Sequence, residues 1–149
     1  MQNPIHAKTW GTNRLVGWTS LAVGAATGLL MGLWSFGGPV PVPEVLGEYN
    51  DLSRRLARLG HIAFFGLGII NLLLAREHPH LRLSSRAHRI ASGAMNLGNV
   101  FLPLTLLSAA IYHPLKYTMP IPALAVFVAV VIAAYGSFQS MRQQNEDNS

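Results

Sequence analysis

The chain has 149 residues, 50% of them hydrophobic and only 11% charged, with a formal net charge of +5 and no cysteine. A soluble domain carries about 25% charged residues, so this inventory cannot furnish a water-facing surface. The absence of thiols excludes disulfides, thiolate-held clusters, cysteine zinc sites and covalently attached haem.

Four stretches contain no Lys, Arg, Asp or Glu: residues 15–43, 59–75, 90–115 and 117–141. About 20 apolar residues in a helix cross the hydrocarbon layer of a bilayer, and each stretch holds a segment of about that length. The expected fold is all-α, an integral membrane four-helix bundle. One membrane domain over 14–138 takes up the chain, between a polar lead at 1–13 and a disordered polar tail at 139–149. The expected spans are 14–36, 55–75, 88–112 and 120–138.

The first span is longer than a signal-peptide core and no small-x-small cleavage pattern follows it, so it reads as a retained helix. Gly37-Gly38-Pro39 stops it. The connector Pro39-Val40-Pro41-Val42-Pro43 cannot be helical, because proline lacks an amide donor and constrains the residue before it. Asn50 or Asp51 is a suitable N-cap for the second helix. The basic segment 76–87, broken by Pro79, leads into the third helix, which ends before His113-Pro114. Pro120 and Pro122 suit the first turn of the fourth.

Lys and Arg fall unequally. Lys8, Arg14, Arg76, Arg82, Arg86, Arg89 and Arg142 belong to one side; Arg54, Arg55, Arg58 and Lys116 belong to the other. The positive-inside rule then puts both termini in the cytoplasm, with a bacterial inner membrane as the expected location. These cations flank apolar runs and form no stripe with interleaved aromatics, which argues for anionic lipid headgroups and against nucleic acid.

Gly24, Gly28 and Gly32 recur every four residues, and Ala125, Ala129 and Ala133 repeat the device in the fourth helix. Small residues at this spacing let helix backbones approach closely, within the bundle or against a second protein. The third helix carries Ser92, Asn96, Asn99 and Pro103 on one face. Amides are costly in hydrocarbon, so this stripe points into the bundle, where it ties helices together or lines a cavity for a quinone, a lipid headgroup or a small solute.

His61 is the one strongly titratable side chain well inside a span, with Arg58 three residues before it. His113 lies at a similar end of the third helix. Two histidines from two helices hold b-type haem in membrane bundles, with arginines meeting the propionates, so His61, His113 and Arg58 are candidate cofactor residues. Copper held by His61, His113, Met31 and Met119 is the metal alternative. His78, His80 and His88 are expected in a solvated loop.

No H-E-x-x-H, G-x-S-x-G or P-loop pattern occurs, and no carboxylate lies within a span. The expectation is therefore a non-catalytic inner-membrane protein, a subunit or assembly partner of a larger membrane complex or a homo-oligomer, in contact with lipid. The alternatives are a haem- or quinone-binding electron-transfer protein and a small-solute or lipid carrier.

Overall fold

The computed structural model describes residues 4–147. Four long helices follow one another: α1 (Pro4–Gly32), α2 (Leu52–Glu77), α3 (Ser85–Ile111) and α4 (Pro120–Asp147). All four include segments long and apolar enough to cross a membrane. Short 3-10 turns at Ser35–Gly37, Glu44–Leu46 and His113–Thr118 fill the links at one end, called here the connector end. The opposite end, holding the α2–α3 turn and the outer ends of α1 and α4, is the terminal end.

The surface is apolar in the way that lipid requires. Leu15, Leu29, Ile62, Phe101, Ile121, Phe127 and Phe138 all point outward, whereas among the described residues no Lys, Arg, Asp or Glu side chain is buried. Lipid tails are as apolar as leucine, so helix association rests on close packing and interhelical hydrogen bonds rather than on hydrophobic expulsion.

Helices α1, α2 and α3 pack on one another, and α4 lies against α3. Ala129 of α4 is fully buried and completes a core cluster with Leu67 and Leu74 of α2, Leu81 of the turn and Met95 of α3. A second cluster at the connector end joins Leu46, Leu56, Ala57, Leu106, Ala109 and Ala110.

Glycine sets how close the helices come. A Cβ on Gly17 would stand 3.1 Å from the Gly68 carbonyl oxygen, and one on Gly68 would stand 3.1 Å from that of Gly17. Gly24 meets Phe64 and Phe65, and Gly28 meets the His61 ring. The groove expected at Gly24, Gly28 and Gly32 is thus an α1–α2 contact running from Gly17 to Gly28. Gly32 has nothing within 4 Å of its Cβ position. Gly98 of α3 brings the Pro122 carbonyl of α4 within 3.0 Å in the same sense, with Ala129 buried alongside and Ala125 and Ala133 half-buried.

Pro103 stands inside α3, fully buried, and Gly60 of α2 faces it, its Cβ position 3.1 Å from the Pro103 carbonyl oxygen.

Two expected boundaries move. Helix α1 begins at Pro4, so the described part of the 1–13 lead is helical. The tail expected to be disordered continues α4 as far as Asp147. The second extension has visible anchors: Ser140 donates to the His80 carbonyl at 2.8 Å and accepts from the Arg82 amide at 3.2 Å, while Leu83 packs over Gly136. The α2–α3 turn folds back on α4 and carries its polar segment with it.

Those contacts also overturn the solvated loop for two of its histidines. His78 and His88 are 2% and 6% exposed, their rings stacked at 4.0 Å and 12° apart. His80 is exposed, as expected.

Candidate functional site

Polar side chains inside the bundle form a seam whose spacing comes from α1. Asn13, Ser20 and Thr27 are seven residues apart, so they share one flank of α1 and each meets a polar partner on α2 or α3. At the terminal end Ser92 donates to Asn13, Asn13 Nδ2 donates to Asn71 Oδ1 at 2.6 Å, and Asn71 Nδ2 donates to Asn96 Oδ1 at 2.8 Å. Four side chains from three helices run head to tail, each donor matched to an acceptor. Asn13 and Asn71 are wholly buried.

Two turns further along α1, the Ser20 hydroxyl lies 2.9 Å from the Phe64 carbonyl oxygen and 3.0 Å from the Asn99 side chain. Ser20 of α1 is thus tied to both α2 and α3. The buried Asn99 Nδ2 has no protein partner, and Asn99 lines an apolar cleft between α1 and α3.

The third level of the seam opens into a pocket. Thr27 Oγ1 lies 2.9 Å from the Gly24 carbonyl oxygen and 3.1 Å from His61 Nδ1. The His61 ring passes over Gly28, where a Cβ would stand 2.7 Å from Cε1 and 3.3 Å from Nε2. Phe65 meets the ring edge-on at 5.3 Å. His61 and Gly28 both line a connector-end cavity of about 360 Å³ shared with Met31, Trp34, Tyr49, Arg54 and Arg58.

At its mouth two guanidiniums sit over one tyrosine. Arg58 is 4.1 Å and Arg54 5.4 Å from the Tyr49 ring centre, and Arg58 Nη2 donates to the Tyr49 carbonyl at 3.2 Å. Among the described residues no carboxylate lines this pocket. Asp51 is nearby in sequence but accepts from the Glu48 amide at 2.8 Å.

The residues singled out in sequence divide as follows. Ser92, Asn96 and Asn99 do face the interior, each bonded to a side chain of α1 or α2. Arg58 and His61 share one pocket. His113 does not join them: its Nε2 lies 2.9 Å from the Ser53 hydroxyl, and the residue is exposed. Ser53 precedes His61 by eight residues, about 12 Å along α2, and His61 faces α1 rather than α3. The two imidazoles enclose no common space for a haem. Met31 lines the His61 pocket and Met119 does not, while both pack against the connector-end core cluster. Among the described residues no group of three or more His, Asp or Glu side chains is placed to hold a metal ion.

Sequence reasoning missed Asn13, Ser20, Thr27, Asn71 and Ser53. The seven-residue repeat of small polar residues in α1 was a usable signal, and so was the amide of Asn71 inside a charge-free stretch.

No protein family, curated protein or solved structure matches this chain. The site's own chemistry therefore carries the functional reading.

Proposed function

We propose that this is a non-catalytic, multi-pass membrane protein that holds an anionic amphiphile, its charged head at Arg54 and Arg58 and its apolar part in the connector-end pocket. The observation that carries this is the pair of guanidiniums on Tyr49 without a lining carboxylate. Like charges four residues apart on a helix repel by about 0.2–0.5 kcal/mol in water, and half-burial beside lipid raises that cost. An anionic head relieves it. The cavity is of the size that small-molecule sites take, about 300–1,000 Å³, and its wall is mainly apolar. No acid–base pair accompanies the imidazole, which favours binding over turnover.

The test uses purified full-length protein in dodecyl maltoside with hexadecyl phosphate, followed by native mass spectrometry. The wild type is expected to retain one equivalent, and the Arg54→Gln/Arg58→Gln double variant to bind about tenfold more weakly. Equal retention by both proteins sinks the reading.

A separate observation favours a role as a subunit or assembly partner of a larger membrane complex, or as a homo-oligomer. Gly17, Gly24, Gly28, Gly60, Gly68, Gly98 and Gly136 each meet a neighbour within the chain. Gly66 of α2 and Gly93 of α3 lie mid-helix with nothing within 4 Å of their Cβ positions. A mid-helix glycine costs about 1 kcal/mol against alanine, so a close backbone approach from another protein accounts for both. Gly66→Leu and Gly93→Leu are expected to release the protein from a complex isolated in mild detergent. A native complex that both variants leave intact counts against this second reading.

A further inference from the structure

Two groups compete for the single proton of Thr27. Thr27 Oγ1 has a single proton, and the Gly24 carbonyl 2.9 Å away can only accept it. With that proton on the Gly24 carbonyl, the same oxygen accepts from His61 Nδ1, at 3.1 Å, and the imidazole carries its proton there. In the neutral ring Nε2 is then bare. No described side chain donates to it. It lies over Gly28 at the wall of the pocket, where a glycine leaves the lone pair uncovered.

We infer that His61 carries its proton on Nδ1 and that the occupant of this pocket has a hydrogen-bond donor that meets Nε2, so that its class is an anionic, single-chain amphiphile with a free hydroxyl just inside its charge: a lysophospholipid. The inference rests on the amphiphile reading and adds the chemistry of the second contact. His61 stands about 4.5 Å further from the connector end than Arg58, measured along the α2 backbone. In a lysophosphatidic acid the sn-2 hydroxyl is two carbons from the phosphate on the side of the chain. A diacyl lipid has an ester carbonyl at that position, an acceptor facing an acceptor. A cavity of about 360 Å³ also suits a headgroup with the start of one chain better than two chains side by side.

Thr27 and Gly28 are positioning residues in this scheme. Thr27 holds the proton on Nδ1, and Gly28 leaves Nε2 open.

The experiment compares 1-hexadecyl lysophosphatidic acid with its 2-O-methyl ether on the wild-type protein, by native mass spectrometry in dodecyl maltoside. The two ligands share charge and chain and differ in one donor. The free hydroxyl is expected to tighten binding about fivefold, what one hydrogen bond ordinarily contributes. Thr27→Val is expected to erase that preference and Thr27→Ser to keep it, and nitrogen NMR of labelled histidine to show Nδ1 protonated and Nε2 bare. Equal binding of the two ligands by the wild type overturns the inference while leaving the amphiphile reading standing. Failure of either lipid to bind, or binding that ignores Arg54→Gln/Arg58→Gln, overturns both. Glycerol 3-phosphate, the same headgroup without a chain, is expected to compete poorly; displacement at equal concentration reassigns the site to a soluble phosphate ester and overturns the lysolipid.

Discussion

Replacing Asn71 by leucine tests the polar seam at its most connected point. Asn71 is wholly buried and uses both ends of its amide, accepting from Asn13 and donating to Asn96. Leucine has a similar shape but leaves Asn13 Nδ2 without an acceptor and Asn96 Oδ1 without a donor. Hydrogen bonds between membrane helices average about 0.6 kcal/mol and reach about 1.7, whereas a buried group left unpaired costs about 1–3 kcal/mol. Two such groups, one of them half-buried and partly relieved by rotation, give an expected loss of about 2–3 kcal/mol. Asn13→Leu is expected to cost as much, since it strands Asn71 and Ser92. The double variant removes both partners of the 2.6 Å bond together, so its loss is expected to fall short of the sum by about 1–2 kcal/mol. Reversible unfolding in mixed dodecyl sulfate and maltoside micelles, read by helicity and tryptophan emission, measures all three. Additivity within about 0.5 kcal/mol refutes the reasoning, because distant, independent sites behave that way.

Other substitutions separate contact from spacing. Gly68→Val drives a side chain into the Gly17 carbonyl and is expected to prevent α1 from docking, seen as loss of the folded monomer on size exclusion; Gly32→Ala, with open space around it, is expected to stay within about 0.5 kcal/mol of wild type in the same micelles. Ser84 caps α3 by accepting from the Ala87 amide at 3.2 Å, and Ser84→Ala is expected to cost about 1 kcal/mol by the same titration. Gly66→Ala is expected to raise the stability of the isolated chain by up to about 1 kcal/mol, and a loss of stability in that variant would show that the position already has a neighbour.

The four helices were legible because lipid demands one kind of surface, and charge-free runs of span length report it directly. Their ends were less so. Polar composition marked 139–149 as a tail, yet composition does not reveal that Ser140 finds the His80 carbonyl of a turn sixty residues earlier. The inward stripe of α3 was readable from its own periodicity, but its partners needed the neighbouring helix. Asn13 stands beside Arg14, outside the uncharged run, and so was counted with the lead rather than the seam. The pairing of His61 with His113 came from depth alone. Rise per residue gives the level of a side chain, not the flank it occupies, and α1 claims the flank on which His61 lies.

The seam is unevenly distributed, and Pro103 sharpens the difference. Proline offers no amide hydrogen, so the Asn99 carbonyl one turn back lacks its helical bond and α3 is weakened there. On one side of that hinge lie the interlocked asparagines. On the other lie imidazole–hydroxyl contacts, short 3-10 turns and the proline-rich strap between α1 and α2. Compliance should therefore be concentrated beyond residue 103, with backbone amides of 104–111 exchanging deuterium faster than those of 92–99. In a molecule divided this way one pole flexes while the other keeps the helices in step.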